Sequence, residues 1–246
     1  MHIEAGHAND ISNWNTLHRT LQGIRRHHNV PTRQRLPVTI GILRKLKNAL
    51  RASHSLHPID QLMMWSAFTI AFFGFLRVSE FTASSPTYYD TATTLLHADI
   101  HIDDNLCGLN VHIKASKSDL FRQGQTIVIA ASDSSVCAVR AYHRYSANLR
   151  QSPAFQFTNG DYLTPQKLTH VLQIHLVQGG VPHITQFTSH SFRSGAATTA
   201  AAAGIPDWLI KCLGRWKSDA YQTYIKTPMK TLRKVPGIMV QHYLNN

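Results

Sequence analysis

The chain has 246 residues, of which 43% are hydrophobic, and it is therefore long enough to bury a substantial core. Lysines and arginines number 25 against 13 acidic residues, and the formal net charge of +12 favours a polyanionic partner, with nucleic acid first and an anionic membrane surface second. Three isolated cysteines argue against a disulfide framework or a zinc site, and the most apolar run, Leu62 to Leu76, is shorter than the roughly 20 residues of a membrane span.

The first 37 residues are too few to form a domain. Apolar residues at helical spacing predict one short helix that ends in a basic cluster, and residues 30–37 (VPTRQRLP), with two prolines, are typical of a linker. Basic side chains here either contact a nucleic-acid backbone or form a solvated tether. The candidates for such contacts are Arg25, Arg26, Arg33 and Arg35.

Two helices are predicted next, an amphipathic one from Thr39 and an almost wholly apolar one from Pro58 that runs into FFGFLRVSEF. Arg77 lies at the end of the apolar helix, and Glu80 follows three residues later. Because an unpaired buried charge is very costly, this arginine needs an anionic partner. Glu80 is a candidate for that partner, in a purely structural ion pair.

The hydrophobic period then changes to two, which predicts a three-stranded antiparallel sheet from about Leu96 to Ala130. The second turn of this sheet, residues 114–124 (KASKSDLFRQG), is polar and basic. Its cations are Lys114, Lys117 and Arg122. Lysines in such a turn either serve solubility or face a ligand.

A metal site is not predicted. His97 and His101 are four residues apart, and on a strand this places them roughly 13 Å from each other. The 13 acidic residues form no carboxylate cluster suited to Mg²⁺. No cofactor is expected either.

Helices are also predicted over residues 135–149 and 164–177, with Gly179 and Gly180 ending the second. In the segment after them, His190 and Arg193 are three apart, so on a helix they project from one face and can reach the same ligand atom. Taken singly, each could equally be a core histidine or a surface arginine. Small residues follow up to Gly204, then a turn and a helix from Pro206.

The joint arrangement of HSFRSGAATTAA, LGRW and YIKTP resembles the catalytic C-terminal half of the tyrosine recombinase (phage-integrase-like) family, nearest to recombinases of eukaryotic mobile elements. That family has a late H-x-x-R, a following G-[His/Trp] and a closing tyrosine. The resemblance covers roughly Leu36 to Pro228. It implies a mainly α fold with a small three-stranded antiparallel sheet.

The resemblance also implies a division of the chain. Residues 1–37 are expected to be a remnant helix of an N-terminal DNA-binding domain plus linker, and residues 38–228 the catalytic domain. Residues 229–246 are expected to be a C-terminal tail or helix that docks on a neighbouring protomer or folds back in a monomer. With only the last helix of the first domain present, the chain is expected to be a fragment or a truncated form.

The implied activity is DNA strand cleavage and rejoining through a 3′-phosphotyrosyl intermediate, with no metal. Arginines suit the charge that grows on the phosphate oxygens, because a guanidinium is bidentate and keeps its proton. By resemblance Arg77 and Arg193 take this role, supported by Glu80, and His190 donates to phosphate or relays a proton. Lys117 protonates the leaving oxygen, with Lys114 as the alternative.

Tyr224 is the expected nucleophile rather than Tyr221, because it lies nine residues after Arg215, the family's spacing, and precedes Ile225. Tyr221 is expected to pack. The sequence departs from the family after Gly214: Arg215 occupies the usual position of the second histidine, and Trp216 follows. Arg215 could add a third phosphate clamp, or Trp216 could pack beside the nucleophile or simply belong to the core.

The expected partner is double-stranded DNA, bound as a homotetramer, with a monomer possible when free and no membrane involved. The expected location is the nucleus in a eukaryote and the cytoplasm otherwise. Two alternatives remain. One is a catalytically inactive DNA-binding derivative of the same fold, and the other is a type IB topoisomerase-like enzyme that relaxes supercoiled DNA.

Overall fold

A computed structural model describes residues 14–27, 35–116, 119, 123–147, 153–223, 236, 237, 240 and 241. The chain divides into two compact units, residues 1–34 and 35–246. In the first unit the structure describes one helix, α1 (Trp14–His27), at the position predicted from the apolar spacing. Its residues Leu17, Leu21 and Ile24 are exposed.

The second unit is mainly helical and contains one antiparallel sheet, as predicted. Its described helices are α2 (Ile40–Arg51), α3 (Pro58–Phe73), α4 (Ala138–Ser146), α5 (Pro165–Gln178), α6 (Ser191–Ala202) and α7 (Asp207–Leu213). The strands are β1 (Ile100–Ile102), β2 (Gly108–Ile113) and β3 (Gln125–Ala130), in the order β1-β2-β3. No described helix is both long and apolar enough to cross a membrane.

Local capping fixes the starts of α2 and α5 where the sequence predicts them. Thr39 caps α2 by accepting a hydrogen bond from the Ile42 N–H, and Thr164 caps α5 in the same way from Lys167. Proline occupies the first turn of α5, where its missing N–H costs no hydrogen bond. Gly179 ends α5, also as predicted.

One predicted boundary near the site is wrong. Helix α3 ends at Phe73 instead of reaching Arg77, because Gly74 caps it and Phe75 has a left-handed φ of +50°. Arg77 therefore precedes a short 3-10 helix, Val78–Glu80. Helix α6 begins at Ser191, and His190 is its N-cap residue, with a helical φ of −75° and ψ of −16° and a carbonyl that accepts a hydrogen bond from the Ser194 N–H at 3.2 Å.

Two other predicted elements are shorter than expected. The first strand starts at Ile100, because residues 97–99 form a 3-10 turn in which the Asp99 carboxylate accepts from the Leu96 N–H. His97 is thus off the strand and bonds the Tyr142 hydroxyl. Helix α4 starts at Ala138 and not at residue 135, since residues 134–137 form a turn.

The almost wholly buried helix α3 is the centre of the core, packing against α2, α4 and α6. Phe68 of α3 stacks on Phe192 of α6 with ring centroids 5.0 Å apart. This contact places the first turn of α6 beside the loop that follows α3. The loop of residues 74–77, which carries Arg77, therefore lies beside the helix that carries Arg193.

Candidate active site

A fully buried carboxylate, that of Glu80, lies at the centre of the candidate site. Its Oε1 accepts a hydrogen bond from Arg77 Nη1 at 2.9 Å, and its Oε2 accepts one from the Arg77 backbone N–H at 2.8 Å. The same Oε2 accepts from Arg215 Nη2 at 2.6 Å. Two guanidiniums therefore share one buried carboxylate. The sequence predicted the ion pair with Arg77 but gave no sign of the one with Arg215.

The guanidinium of Arg215 points inward. Its Nη1 donates to the Gly74 carbonyl at 3.1 Å, and its side chain is 8% exposed. The backbone at Arg215 has a φ of +56°, a left-handed conformation that costs a non-glycine residue roughly 1–3 kcal/mol. Burial lowers the pKa of Arg215, although the Glu80 carboxylate opposes this, and a guanidinium keeps its proton in proteins.

Arg193, in the first turn of α6, joins the two loops of the site. It is 1% exposed, with Nη1 donating to the Phe75 carbonyl and Nη2 to the Gly214 carbonyl. The ring of Trp216 covers the guanidinium at 4.2 Å from its centroid. Such a cation-π contact is stronger when it is desolvated, as here.

Trp216 can lie over Arg193 only because residue 214 is a glycine. A Cβ atom at Gly214 would lie 1.5 Å from the Trp216 ring. The ring also packs edge-on against Phe75 and lies 6.0 Å from the ring of Tyr221. Tyr221 itself is 5% exposed, which fits the packing role predicted for it.

His190 sits at the start of α6 in a strongly cationic environment. Burial lowers the pKa of His190, and three arginine charges lower it further, those of Arg193, Arg35 and Arg77. The imidazole is therefore held in its neutral form near pH 7. In that form it can accept a proton, and after accepting one it can donate a hydrogen bond to phosphate.

This environment predicts a specific pH dependence for His190→Gln. Because the folded-state pKa lies below the unfolded value of about 6.5, the unfolded chain binds more protons between the two values. The free energy of unfolding should therefore fall as the pH drops from neutral to acidic. Replacing His190 with neutral glutamine should flatten that fall, as measured by urea unfolding at a series of pH values.

Some slope should persist in this variant, because burial also lowers the pKa of His97. Equal pH slopes for the wild-type protein and His190→Gln would contradict the predicted environment of His190.

A cavity of about 560 Å³ lies between the turn after β2 and the end of α7. Basic residues lining it outnumber acidic ones, so it suits an anion. The cations among the described lining residues are Lys211, Arg215 and Lys217, against the single carboxylate of Asp119. Ser116 and Asp119, which flank Lys117 in the sequence, line the same cavity.

Lys114 is engaged elsewhere. Its Nζ pairs with the Asp99 carboxylate at 2.8 Å and donates to the Thr91 carbonyl at 3.0 Å. The structure thus gives Lys114 a role in fixing the sheet to the preceding loop.

The predicted site residues divide into two groups. The structure brings together Arg77, Glu80, His190, Arg193, Arg215 and Trp216, while Arg35 is exposed and near enough to affect His190. Outside the described residues lie Arg33, Lys117, Arg122 and Tyr224. Arg25 and Arg26 belong to α1, and their side chains are likewise not described.

Sequence reasoning did not identify the backbone acceptors of the site, the carbonyls of Gly74, Phe75 and Gly214. A weak signal for them existed in the glycines that end α3 and α7. Among the described residues, no group of three or more His, Cys, Asp or Glu is placed to hold a metal ion.

No protein-family model and no curated protein sequence matches the chain. Solved structures do. XerH site-specific recombinase, bound to palindromic difH substrate in a post-cleavage complex, aligns with a TM-score of 0.61 at 13% identity over 82% of this chain and 52% of its own. XerA recombinase aligns with a TM-score of 0.59 at 16% identity, over 86% of this chain and 65% of its own. A lambda integrase dimer bound to a COC′ core site aligns with a TM-score of 0.54 at 16% identity, over 79% of this chain and 49% of its own.

These likenesses show that the chain has the fold of the tyrosine recombinase catalytic domain. The aligned part spans between about half and two thirds of those three chains. The similarity does not support the closer relation to recombinases of eukaryotic mobile elements that the motifs suggested.

Proposed function

We propose that this chain cleaves and rejoins DNA strands by transesterification through a 3′-phosphotyrosyl intermediate. One observation carries the proposal: the guanidiniums of Arg77 and Arg215 share one buried carboxylate, that of Glu80, and the Arg193 guanidinium joins the two neighbouring loops close to His190. This cationic cluster lies on a fold shared with site-specific recombinases. A closer relation to recombinases of eukaryotic mobile elements rests on the sequence motifs alone.

The arginines would stabilise the charge that develops on the non-bridging phosphate oxygens. Arg77 is the most accessible of the three, with its side chain 21% exposed. Its Nη2 and Nε atoms make no hydrogen bond within the described part of the chain, so they are available to a ligand. Arg193 is enclosed by Trp216 and two carbonyls, so a phosphate reaches it only after the loop of residues 213–216 shifts.

In the proposed step the Tyr224 hydroxyl oxygen attacks phosphorus, and the bond from phosphorus to the 5′-oxygen breaks. Lys117 gives a proton to that leaving oxygen, and neutral His190 takes the tyrosine proton. The cations nearby favour the ionised tyrosine, whose pKa is otherwise about 10. The 5′-hydroxyl of another strand then attacks the phosphotyrosyl phosphorus and releases Tyr224. The bond energy is therefore conserved without ATP.

The test is incubation with end-labelled suicide DNA, in which a nick near the cleavage site lets the 5′-hydroxyl fragment diffuse away and traps the covalent product. A protein-sized shift of the label on a denaturing gel supports the proposal. DNA binding without any adduct would favour the inactive derivative. Relaxation of supercoiled plasmid without site preference would favour a type IB topoisomerase-like activity.

DNA binding should depend steeply on salt, because the contacts expected of the basic surface are mainly to phosphate. We expect affinity to fall by about tenfold or more between 50 and 200 mM salt, as measured by fluorescence anisotropy with a labelled duplex. Nanomolar binding that is insensitive to salt would contradict this expectation.

The partner proposed is double-stranded DNA, with a homotetramer assembling on it. In support, XerH and lambda integrase were solved bound to DNA, and lambda integrase also as a tetramer on a Holliday junction. The proposed division remains residues 1–37, 38–228 and 229–246, the last docking between protomers. The proposed location is the nucleus in a eukaryote and the cytoplasm otherwise.

A further inference from the structure

We propose that Arg215 is a positioning residue that offsets the charge of Glu80, so that Arg77 keeps a net positive charge toward the phosphate. The inference rests on the proposed function for the identity of the phosphate. The charges of Arg77, Glu80 and Arg215 do not depend on that function. It assigns to Arg215 a role different from the third phosphate clamp that its position in the sequence suggests.

The hydrogen bonds of Glu80 account for both of its oxygens. Oε1 is bonded to Arg77 Nη1, while Oε2 is bonded to the Arg77 backbone and to Arg215 Nη2. Arg77 and Glu80 alone would form a neutral pair. With Arg215 the three side chains carry a net charge of +1.

The location of that charge follows from exposure and bonding. The Arg215 side chain is 8% exposed, and both of its terminal nitrogens donate to groups inside the protein, Nη1 to Gly74 and Nη2 to Glu80. Arg77 is more exposed, and of its guanidinium nitrogens only Nη1 has a hydrogen-bond partner among the described residues. The net charge is therefore presented mainly by Arg77, because both Nη atoms of Arg215 are bonded inside the protein even though this residue also lines the cavity.

The backbone conformation of Arg215 also fits an inward-facing side chain. Arg215 adopts a left-handed φ of +56°, which turns its side chain toward Glu80 while the next residue, Trp216, lies over Arg193. The strain of this conformation is offset by the ion pair and by the hydrogen bond to Gly74. A histidine or tryptophan at residue 215 could not supply a permanent charge to Glu80.

The test compares Arg215→Met with the double variant E80Q/R215M. In Arg215→Met the carboxylate has only Arg77 as its cation, and we expect both DNA affinity and single-turnover cleavage of suicide DNA to fall by about tenfold or more. In the double variant the carboxylate charge is also gone and Arg77 again carries +1. Affinity and cleavage per folded molecule should then recover to within about threefold of wild type.

Recovery in the double variant separates positioning from the alternatives. If Arg215 itself contacts phosphate, removing the Glu80 charge cannot replace it, and a double variant as impaired as Arg215→Met overturns the inference. A purely structural role would lower the folded fraction but leave the rate per folded molecule unchanged in Arg215→Met, which also overturns it. If Arg215→Met does not fold, the double variant alone decides the inference. Near wild-type DNA affinity and cleavage per folded molecule support it, and impaired values overturn it.

Arg140→Met is the matched control. Arg140 is exposed on α4 and, among the described residues, donates only to the carbonyls of Ser132 and Ser134, so its loss lowers the total charge equally without touching the cluster. We expect a much smaller fall in affinity than for Arg215→Met. An equal fall would assign the effect of Arg215 to overall charge and overturn the inference.

The same set distinguishes failure of the inference from failure of the proposed function. A wild-type protein that binds DNA but forms no adduct refutes strand cleavage, and the recovery of DNA affinity in the double variant still decides the inference. A wild-type protein that forms the adduct while the double variant stays impaired refutes the inference alone. Absence of any DNA affinity refutes both.

Discussion

Tyr224→Phe is expected to abolish the covalent DNA adduct completely while leaving DNA affinity unchanged. Phenylalanine lacks the hydroxyl oxygen that would attack phosphorus, so no other change at this position isolates the chemical step so cleanly. Affinity should persist, since it depends on the arginines and lysines that contact phosphate. The measurement is the labelled adduct from suicide DNA, alongside anisotropy at the same salt concentration.

Tyr221→Phe is the matched control, because it removes the same atom three residues earlier. Tyr221 is buried against Trp216 and makes no hydrogen bond with the described residues, so the loss of its hydroxyl should affect neither folding nor the adduct. An adduct that survives in Tyr224→Phe, or one that is lost in Tyr221→Phe, would transfer the nucleophile to another residue and overturn the assignment of the site.

The parts of the fold that follow from local rules could be predicted from sequence. The starts of α2 and α5 follow from Thr39 and Thr164, whose hydroxyls cap the first turns. The sheet follows from the alternation of apolar residues, confirmed by the antiparallel pairing of Val111 with Ile100 and with Ile127. These features depend on neighbours a few residues away, which a single sequence displays.

The direction of the buried arginines could not be predicted in this way. Arg215 is paired with Glu80 across 135 positions, and Arg193 bonds carbonyls in two separate loops. The left-handed conformations of Phe75 and Arg215 also have no glycine or asparagine to mark them. Both features come from tertiary packing, so the motif indicates which residues gather but not what each one touches.

The arginines of this site hold two loops together and are also candidates for binding phosphate. Arg193 ties the loop after α3 to the loop after α7, and Arg215 ties the second loop back to the first through Gly74 and Glu80. The two contacts of Arg193 depend on the position of α6, since Arg193 belongs to its first turn. Any displacement of α6 should therefore loosen both loops together.

Gly195→Ala tests this dependence. A Cβ atom at Gly195 would lie 1.9 Å from the Val38 carbonyl oxygen and 2.7 Å from its carbon, and these backbone atoms cannot rotate away. Helix α6 would have to move from residues 36–38, weakening the 2.9 Å hydrogen bond from the Val38 N–H to the Ser191 carbonyl. We expect a loss of about 3 kcal/mol and a fall in Tm of roughly 6–12 °C by calorimetry.

Gly41→Ala is the control with the opposite expected sign. The nearest heavy atom to a Cβ at Gly41 is the Thr39 hydroxyl oxygen at 3.8 Å, an ordinary contact, and the residue is exposed on α2. Alanine favours a helix over glycine by up to about 1 kcal/mol, so this variant should melt at or slightly above the wild-type temperature. If Gly195→Ala behaves like Gly41→Ala, α6 does not need its close approach to Val38. In that case the covalent DNA adduct should form normally in both variants. If α6 is displaced, Arg193 moves with the helix, and Gly195→Ala should form less adduct even below its melting temperature.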